Sequence, residues 1–514
     1  MVSQHGLRLA AGLITSHFGD LVGKVCECLL RRGTLSLHEI IRFTELSSSQ
    51  VKNCLLVLIQ HSCVQAFSIP RPVASGAEIR TLTQYMALFD NILHRLRFSK
   101  FLSIVQADLG LQCRNLLEGL LQHGRLTFEQ LAEREASTKG LEGSTSSQNI
   151  LRAEFDRLVR AHYVERCPRP EPFISPPEED KLTSTKRRGS KADAVNLSVE
   201  ELAMIGAALP VIERFSAIGS TGEEEESKTP GHNSYTVGDK RKHEALIDKE
   251  TQAVIVESGV LWRVNFEKFV YCLKKKACAT NVRSRYGLDA GIVLEAMIES
   301  NTSEGNKNSV QSSIENIIEA VRGKPGGIGM TMEHVRVVLE KLGSSISSKE
   351  SGVLYEIDLK VIIKICQTEE VEALVLKKYG EVAHRIFRFL VKQGVVQETD
   401  HISDVTLIEK KTTQGILLKL WKDEFLEMKK AIAQGSGTTQ HFLWRVNWDE
   451  LCVHILDDMY HAALNLSQKI AHILEQEQEA LQDKAKRQRL QKGRLILESS
   501  LLKLDDALML FHDF

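Results

Sequence analysis

Residues 36–70 read SLHEIIRFTELSSSQVKNCLLVLIQHSCVQAFSIP, and the order of structural signals in this stretch decides the fold. Two capping boxes, Ser36-x-x-Glu39 and Ser47-x-x-Gln50, predict the starts of two helices, because each box satisfies free N–H groups of a first helical turn. Apolar residues after the second box recur at helical spacing, namely Val51, Cys54, Leu55 and Leu58. The run Cys63–Ile69 then predicts a strand, which we expect Pro70 to end.

Three further stretches of the chain repeat this order of helices and a closing strand. The second has a helix near 112–122 ended by Gly124, a box at Thr127-x-x-Gln130 and a strand at Tyr163–Arg166, with an extra helix near 83–106 before it. The later copies have helices near 289–299, 312–322, 331–342, 371–393 and 412–430, and strands at 353–357 and 441–446. Short helices around one core, closed by strands, are typical of the winged helix. We therefore predict a mainly α fold with small β wings, built from four tandem winged-helix domains.

A six-residue motif occurs twice, as Leu261-Trp-Arg-Val-Asn-Phe266 and as Leu443-Trp-Arg-Val-Asn-Trp448. In both places an alternating strand leads into a helix. We interpret the motif as a structural solution shared by two domains, in which the Trp side chain packs in the core and the Asn caps the helix. The alternative interpretation is an interface with a partner.

Residues 168–245 have the composition of a linker, since five of the ten residues from 168 to 177 are proline and an acidic run follows at Glu223–Glu226. Such a stretch buries too little apolar surface to fold by itself. The capping box Ser198-x-x-Glu201 predicts one short helix within it. Two basic triplets are candidates for nuclear import or for flexible contacts with phosphates: Lys186, Arg187, Arg188, Lys240, Arg241 and Lys242.

The residues after Trp448 have a helical pattern to the end of the sequence. Two apolar stretches, 456–473 and 497–511, flank a polar and basic stretch at 475–494, which predicts an antiparallel coiled-coil hairpin with Gly493 as a break point. A bent single helix docked on a partner is the alternative. The chain is thus divided into winged helix 1 (1–80), winged helix 2 (81–170), a largely disordered linker (171–245), winged helix 3 (246–360), winged helix 4 (361–448) and a coiled coil (449–514).

The composition speaks against several classes of protein. There are 66 Lys and Arg against 67 Asp and Glu, and this net charge of −1 does not favour a free-standing nucleic-acid binder held by bulk basicity. The ten cysteines include no CxxC pair and no zinc-ligand spacing. A P-loop, an HExxH motif and clustered metal-binding aspartates are also absent from the sequence, and its best apolar run, 203–212, is too short to span a membrane. We therefore expect no catalytic site, no cofactor and no metal.

Basic side chains on the third helices and nearby turns are candidates for DNA contacts. A few phosphate contacts would give an affinity that depends on salt and not on base sequence. For each cluster the alternative is a solvated helix face. The candidates are Lys52, Arg152, Arg157, Arg160, Lys274, Lys275, Lys276, Lys410, Lys411, Lys419 and Lys422.

Several motifs, taken in order, resemble the third-largest subunit of RNA polymerase III, a family related to the alpha subunit of transcription factor IIE. The resemblance covers nearly the whole chain and implies four extended winged-helix domains followed by a coiled coil. The motifs that carry it are His17-Phe-Gly19, Leu35-x-Leu37, Leu55-x-Val-Leu-Ile59, both copies of the six-residue motif and Arg385-Ile-Phe-Arg388.

The resemblance implies a non-catalytic nuclear subunit, one member of a heterotrimer on the polymerase clamp. Such a subcomplex helps recruit the polymerase through initiation factor IIIB and helps open promoter DNA at genes for transfer RNA and 5S ribosomal RNA. The implied partners are other RNA polymerase III subunits, initiation factor IIIB and single- or double-stranded DNA, with no membrane. Two alternatives remain open: a stand-alone tandem winged-helix transcription regulator, and a scaffold of the proteasome-lid or signalosome type.

Overall fold

The structure is a computed structural model that describes residues 3–71, 80–139, 145–174, 198–216, 259–301, 308–349, 352–432, 440–480 and 483–514. The chain forms two compact units. We call residues 10–268 the first unit, and residues 1–9 with 269–514 the second unit.

Helices make up most of the described chain, and eleven short strands accompany them. The helices are α1 (Gln4–Phe18), α2 (Asp20–Arg32), α3 (Leu37–Thr44), α4 (Ser48–Gln60), α5 (Phe89–Leu93), α6 (Phe98–Leu109), α7 (Leu111–His123), α8 (Phe128–Lys139), α9 (Thr145–Arg160), α10 (Val199–Ala207), α11 (Val211–Arg214), α12 (Phe266–Tyr286), α13 (Leu288–Glu299), α14 (Ile314–Arg322), α15 (Met332–Lys341), α16 (Leu359–Tyr379), α17 (Glu381–Gln393), α18 (Thr399–Thr406), α19 (Lys410–Lys422), α20 (Trp448–Glu479) and α21 (Lys484–His512). The strands are β1 (Leu35–Ser36), β2 (Val64–Arg71), β3 (Arg80–Ala87), β4 (Val164–Arg166), β5 (Trp262–Val264), β6 (Ser309–Ser313), β7 (Ser345–Lys349), β8 (Gly352–Asp358), β9 (Gln397–Glu398), β10 (Glu427–Ile432) and β11 (Gln440–Arg445).

The first sheet of the first unit has the antiparallel order β1-β3-β2 and closes the helices α2 to α4. Both predicted capping boxes are confirmed, since the N–H of Ser36 donates to Glu39 at 2.8 Å and that of Ser47 to Gln50 at 3.0 Å. The predicted end at Pro70 is wrong, because β2 is an edge strand, where a proline without an N–H is tolerated.

The helix predicted from residue 83 is wrong over its first residues, which form β3. This strand pairs along its whole length with β2, so it completes the first sheet. The boundary drawn between residues 80 and 81 therefore cuts through a hairpin. The sequence is ambiguous here, because the apolar positions from Met86 onwards fit both a strand and a helix. The strand β3 ends at Ala87 and α5 begins at Phe89, so the two elements almost adjoin.

The second sheet of the first unit joins strands that lie far apart in the sequence. Val164 pairs with Val264 and Arg166 pairs with Trp262, so β5 forms a hairpin with β4 and the residues between them are an insertion into that hairpin. The copy of the six-residue motif at Leu261 thus completes the second helix–sheet group, which consists of α7 to α9 with β4 and β5. The prediction that this motif belongs to winged helix 3, residues 246–360, is wrong. Both strands follow from the sequence pattern, but their pairing does not, because about a hundred residues separate Val164 from Val264 and no local signal joins the two strands.

The second unit contains two three-stranded sheets, with the orders β6-β8-β7 and β10-β11-β9. Helices α13, α14 and α15 pack on the first of them, and α17, α18 and α19 accompany the second, around separate cores. The predicted helix at 412–430 ends early, at Lys422, because Glu427–Ile432 pairs with β11 as the wing strand β10.

The long helices α20 and α21 run antiparallel, since Glu477 contacts Arg494 near one end and Tyr460 contacts His512 at the other. Helix α20 ends at Glu479 and α21 begins at Lys484, so the predicted break at Gly493 is wrong and that glycine lies inside α21. The end of α21 packs into the cores of the second unit through three side chains, Leu510, Phe511 and Phe514.

Candidate nucleic-acid and partner surfaces

We call helices α17 to α19 with the sheet β10-β11-β9 the fourth helix–sheet group. This group presents a row of lysines on α19. Lys411, Lys419 and Lys422 are exposed, and the ammonium of Lys419 lies 5.3 Å from the centre of the Tyr379 ring. Lys410 is also exposed, but its ammonium lies 2.6 Å from Asp400, whose hydrogen bond raises the pKa of Lys410. Three of the four predicted lysines therefore point their charge to solvent without an ion pair among the described residues.

The wing beside α19 adds two lysines that the sequence analysis missed. Lys429 and Lys430 are exposed on β10, although Lys429 lies 3.5 Å from the Glu427 carboxylate. We missed them because we had assigned these residues to the preceding helix. The same surface also has apolar groups, since Leu418 and Trp421 are each 43% exposed.

Candidate residues in the first unit are spread over α4 and α9. Lys52 and Arg160 are exposed, and Arg152 is half-buried. The guanidinium of Arg157 lies 2.7 Å from Glu154, one turn away on the same helix, so part of its charge is neutralised locally. Residues 186–188 and 240–242, the nuclear-import candidates, lie outside the described residues.

The three successive lysines on α12 face different surroundings. Lys274 is buried, and its ammonium donates to Asn308 at 2.9 Å and to the main-chain oxygen of Phe514 at 3.2 Å. Burial lowers the pKa of Lys274. Lys275 lies 4.0 Å from the centre of the Tyr271 ring, and Lys276 is exposed. This burial contradicts the prediction that Lys274 contacts DNA. Its ammonium instead binds the main chain at Phe514, just after α21, within the second unit.

The two copies of the six-residue motif occupy equivalent places in two wings. Trp262 and Trp444 are each 1% exposed, so the prediction that both pack in a core is confirmed. The arginine after each Trp pairs across the hairpin with a glutamate: Arg263 with Glu165, at 2.8 Å, and Arg445 with Glu427.

The asparagine of the motif behaves differently in the two wings. The Asn265 oxygen accepts from the N–H of Lys268 at 3.4 Å, and its amide donates to the carbonyl of His162 at 2.8 Å. This cap is confirmed. Asn447 stands before α20 without a hydrogen bond from its side chain to the helix, so the cap predicted there is wrong.

The motif His17-Phe-Gly19 lies where α1 meets α2. The Phe18 ring packs between the His61 ring, at a centroid distance of 4.5 Å, and the Arg95 guanidinium, at 4.5 Å. Gly19 has a φ of 88°, which favours glycine and lets the chain turn sharply into α2. Burial, with the nearby charges of Arg95 and two other histidines, lowers the pKa of His61 to about 4.

The first unit is therefore expected to lose stability as the pH falls from 6.5 towards 4. His61 is neutral in both states above pH 6.5, but below this pH the unfolded chain binds a proton that the folded chain excludes until about pH 4. In urea unfolding read by hydrogen exchange in α4, His61→Gln should flatten this dependence. His38→Gln, at an exposed position on α3, is the matched control and should leave it unchanged. A His61→Gln profile identical to that of the unaltered chain would contradict the assignment.

The described residues include no group of His, Cys, Asp and Glu side chains that could hold a metal ion. All ten cysteines are free thiols, and six of them are buried. Burial raises the pKa of Cys278 to about 12, which keeps that thiol protonated. None of the described helices is long and apolar enough to cross a membrane.

Comparison with known proteins matches three parts of the chain to models of one family. Residues 8–68 match the RNA polymerase III subunit RPC82 helix-turn-helix domain, residues 153–333 match RNA polymerase III subunit RPC82, and residues 371–446 match the POLR3C C-terminal winged-helix domain. The chain belongs to this RNA polymerase III subunit family. Membership in the RPC82 family confirms the resemblance drawn from the motifs.

Curated relatives of this family span almost the whole chain. The chain is 21% identical to DNA-directed RNA polymerase III subunit rpc3 of Dictyostelium discoideum over 92% of its own length and 93% of that protein's. It is 24% identical to the subunit RPC3 of Bos taurus and 22% identical to that of Homo sapiens, each over 91% of this chain and 84% of the relative. As a member of the RPC82 family, the chain is a polymerase subunit and not an enzyme that acts alone.

Proposed function

We propose that the chain acts in transcription initiation by RNA polymerase III, as one member of a nuclear, clamp-bound heterotrimer. In this proposal its four helix–sheet groups are tandem extended winged-helix domains, and α20 with α21 is a coiled coil. Initiation factor IIIB and promoter DNA are the further partners. The observation that carries the proposal is the order of the three family matches: the first falls on the first helix–sheet group, the second spans parts of the second and third groups, and the third falls on the fourth.

DNA contact is assigned to α19 and the wing strand β10 of the fourth group. The exposed ammonium groups of Lys411, Lys419 and Lys422 lie along one helix, and Lys430 extends the charge onto the wing. Such a surface attracts the phosphate backbone without reading bases, which suits a subunit that holds DNA opened at promoters of different sequence. Leu418 and Trp421 between these lysines offer apolar surface for unstacked bases or for a neighbouring protein.

Reversal of three charges on α19 tests this assignment. In polymerase purified through a tag on the full-length chain, Lys411→Glu/Lys419→Glu/Lys422→Glu is expected to weaken promoter opening. The plot of log affinity against log salt should lose about 0.9 of slope for each phosphate contact removed, so about 2 to 3 in all. Opening is measured by the reactivity of unpaired thymines at increasing salt.

The matched control is Lys410→Gln, because Asp400 already holds that ammonium at 2.6 Å. We expect it to change the slope little. Copurification of both variants with the polymerase shows that assembly is intact. If the triple variant assembles and opens promoters with an unchanged salt dependence, α19 is a solvated helix face and the DNA assignment fails.

A further inference from the structure

The insertion into the second hairpin has an unusual distribution of apolar side chains. Helix α10 turns its small residues inwards: Ala203 and Ala207 are buried, and Ala203 shares a core with Phe67 of β2. Leu202 packs against the same core, but Met204 and Ile205 face outwards, as do the large residues of α11, although buried faces usually hold the large side chains. The exposed fractions are 43% for Met204, 61% for Ile205, 68% for Val211 and 89% for Ile212. We call these four side chains the insert surface.

Contacts at both ends hold the insert surface in place on the first unit. At α10, the N–H of Arg169 donates to the carbonyl of Ala207 at 2.9 Å, and a Cβ on Gly206 would lie 3.3 Å from Pro172. After α11, the Phe215 ring stacks on the His162 ring at a centroid distance of 4.0 Å. A surface held in this way loses little conformational entropy when a partner binds it.

The charges around the insert surface restrict what can bind there. Between residues 198 and 216 the sequence has three carboxylates, Glu200, Glu201 and Glu213, and one cation, Arg214. The guanidinium of Arg214 contacts the buried Glu165 and lies 3.4 Å from the Asn265 oxygen, so its charge is used inside the first unit. Within residues 198–216, the charged side chains that face solvent are therefore the three carboxylates.

We propose that the insert surface is the docking site for another subunit of the polymerase, one that presents an apolar groove bordered by lysine or arginine. Several exposed aliphatic side chains close together in sequence are typical of an interaction site. Carboxylates on the border repel DNA and anionic lipid, and they would face their own copies in a symmetric dimer of this chain. A protein of complementary charge is the remaining occupant. The inference rests on the proposed function, because it takes the partner from within the polymerase.

Photo-crosslinking from Ile212 tests the proposal in the assembled enzyme. A photoreactive residue replaces Ile212 in the tagged full-length chain, and the polymerase is purified and irradiated. The expected result is a crosslink to a different polymerase subunit, at a peptide that contains aliphatic residues beside lysine or arginine. A crosslink to a second copy of this chain, a crosslink to DNA, or no crosslink in an intact polymerase would each overturn the proposal.

Substitutions give a second and independent readout. The double variant Ile205→Ser/Ile212→Ser should weaken retention of the crosslinked subunit about tenfold or more, since two buried aliphatic side chains are lost from the interface. Ile328→Ser is the matched control, because Ile328 is 80% exposed but lies in the second unit, and it should leave retention unchanged. Glu213→Lys should weaken retention most at low salt.

The outcome separates this inference from the proposed function. If the unaltered chain recovers no polymerase subunits, the proposed function fails. If the unaltered chain and the double variant recover the same subunits with equal retention, only the docking site fails.

Discussion

Replacement of Trp262 by alanine is expected to lower the free energy of unfolding of the first unit by about 3–5 kcal/mol. The indole is 1% exposed and meets the Phe155 ring edge-on at a centroid distance of 5.2 Å. Its main chain exchanges two hydrogen bonds with Leu126, at 2.8 and 3.1 Å. Loss of the side chain leaves a cavity at the point where the returning strand β5 meets the helices. Urea unfolding, followed by hydrogen exchange in β4 and α9, measures the change.

The matched control is Trp421→Ala in α19, since Trp421 is 43% exposed. Substitutions at such a surface usually change stability by no more than about 0.5 kcal/mol. Trp444→Ala should resemble Trp262→Ala in size but act in the second unit, where the indole N–H also donates to Thr399 at 2.8 Å. Equal effects of Trp262→Ala and Trp421→Ala would show that the repeated Trp is not a core residue.

Local signals in the sequence predicted the starts of helices well. The boxes at Ser36, Ser47, Thr127 and Ser198 all form, because each is a set of contacts between residues three apart. Such contacts depend little on the rest of the fold. The winged-helix order followed from these starts together with the apolar residues between them.

Pairing across long insertions could not be predicted in the same way. Glu165 and Arg263 are opposite each other in a hairpin, yet nothing in the sequence near either residue specifies the other. The repeated motif held the missing information, because its second copy lies in the wing strand β11, which pairs with β10. If both copies are closing strands, the motif at Trp262 places the insertion inside the second group.

The direction of basic side chains was equally hard to predict. Lys274, Lys275 and Lys276 read as one basic cluster, but a helix turns by about 100° per residue and so one of three neighbours faces inwards. In α12 this residue is Lys274, whose partners are Asn308 and the Phe514 carbonyl. Only the packing of α21 against the other helices of the second unit reveals that role. The other candidates for DNA contact remain predictions.

Glu165→Ala is expected to destabilise the first unit by about 3 kcal/mol, because Arg263 loses its carboxylate and Arg214 keeps only the exposed Glu267, 3.7 Å away, while both guanidinium groups are mostly buried. Glu165 is 2% exposed, and its oxygens contact Arg214 and Arg263. Since Arg214 belongs to the insertion, the variant should also loosen α11. Faster hydrogen exchange and faster proteolysis at residues 211–216 would report this second effect.

The chain contains a matched control for this carboxylate in its other copy of the motif. Glu427 pairs with Arg445 across the wing as Glu165 pairs with Arg263, but Glu427 is 29% exposed and faces no second arginine among the described ion pairs. Water already solvates that pair, so Glu427→Ala should cost about 0–1 kcal/mol. The difference between the two variants therefore measures the contribution of burial and of Arg214. If both glutamates proved equally dispensable, the insertion would not be anchored through Glu165, and the rigid support of α11 that we infer would be lost.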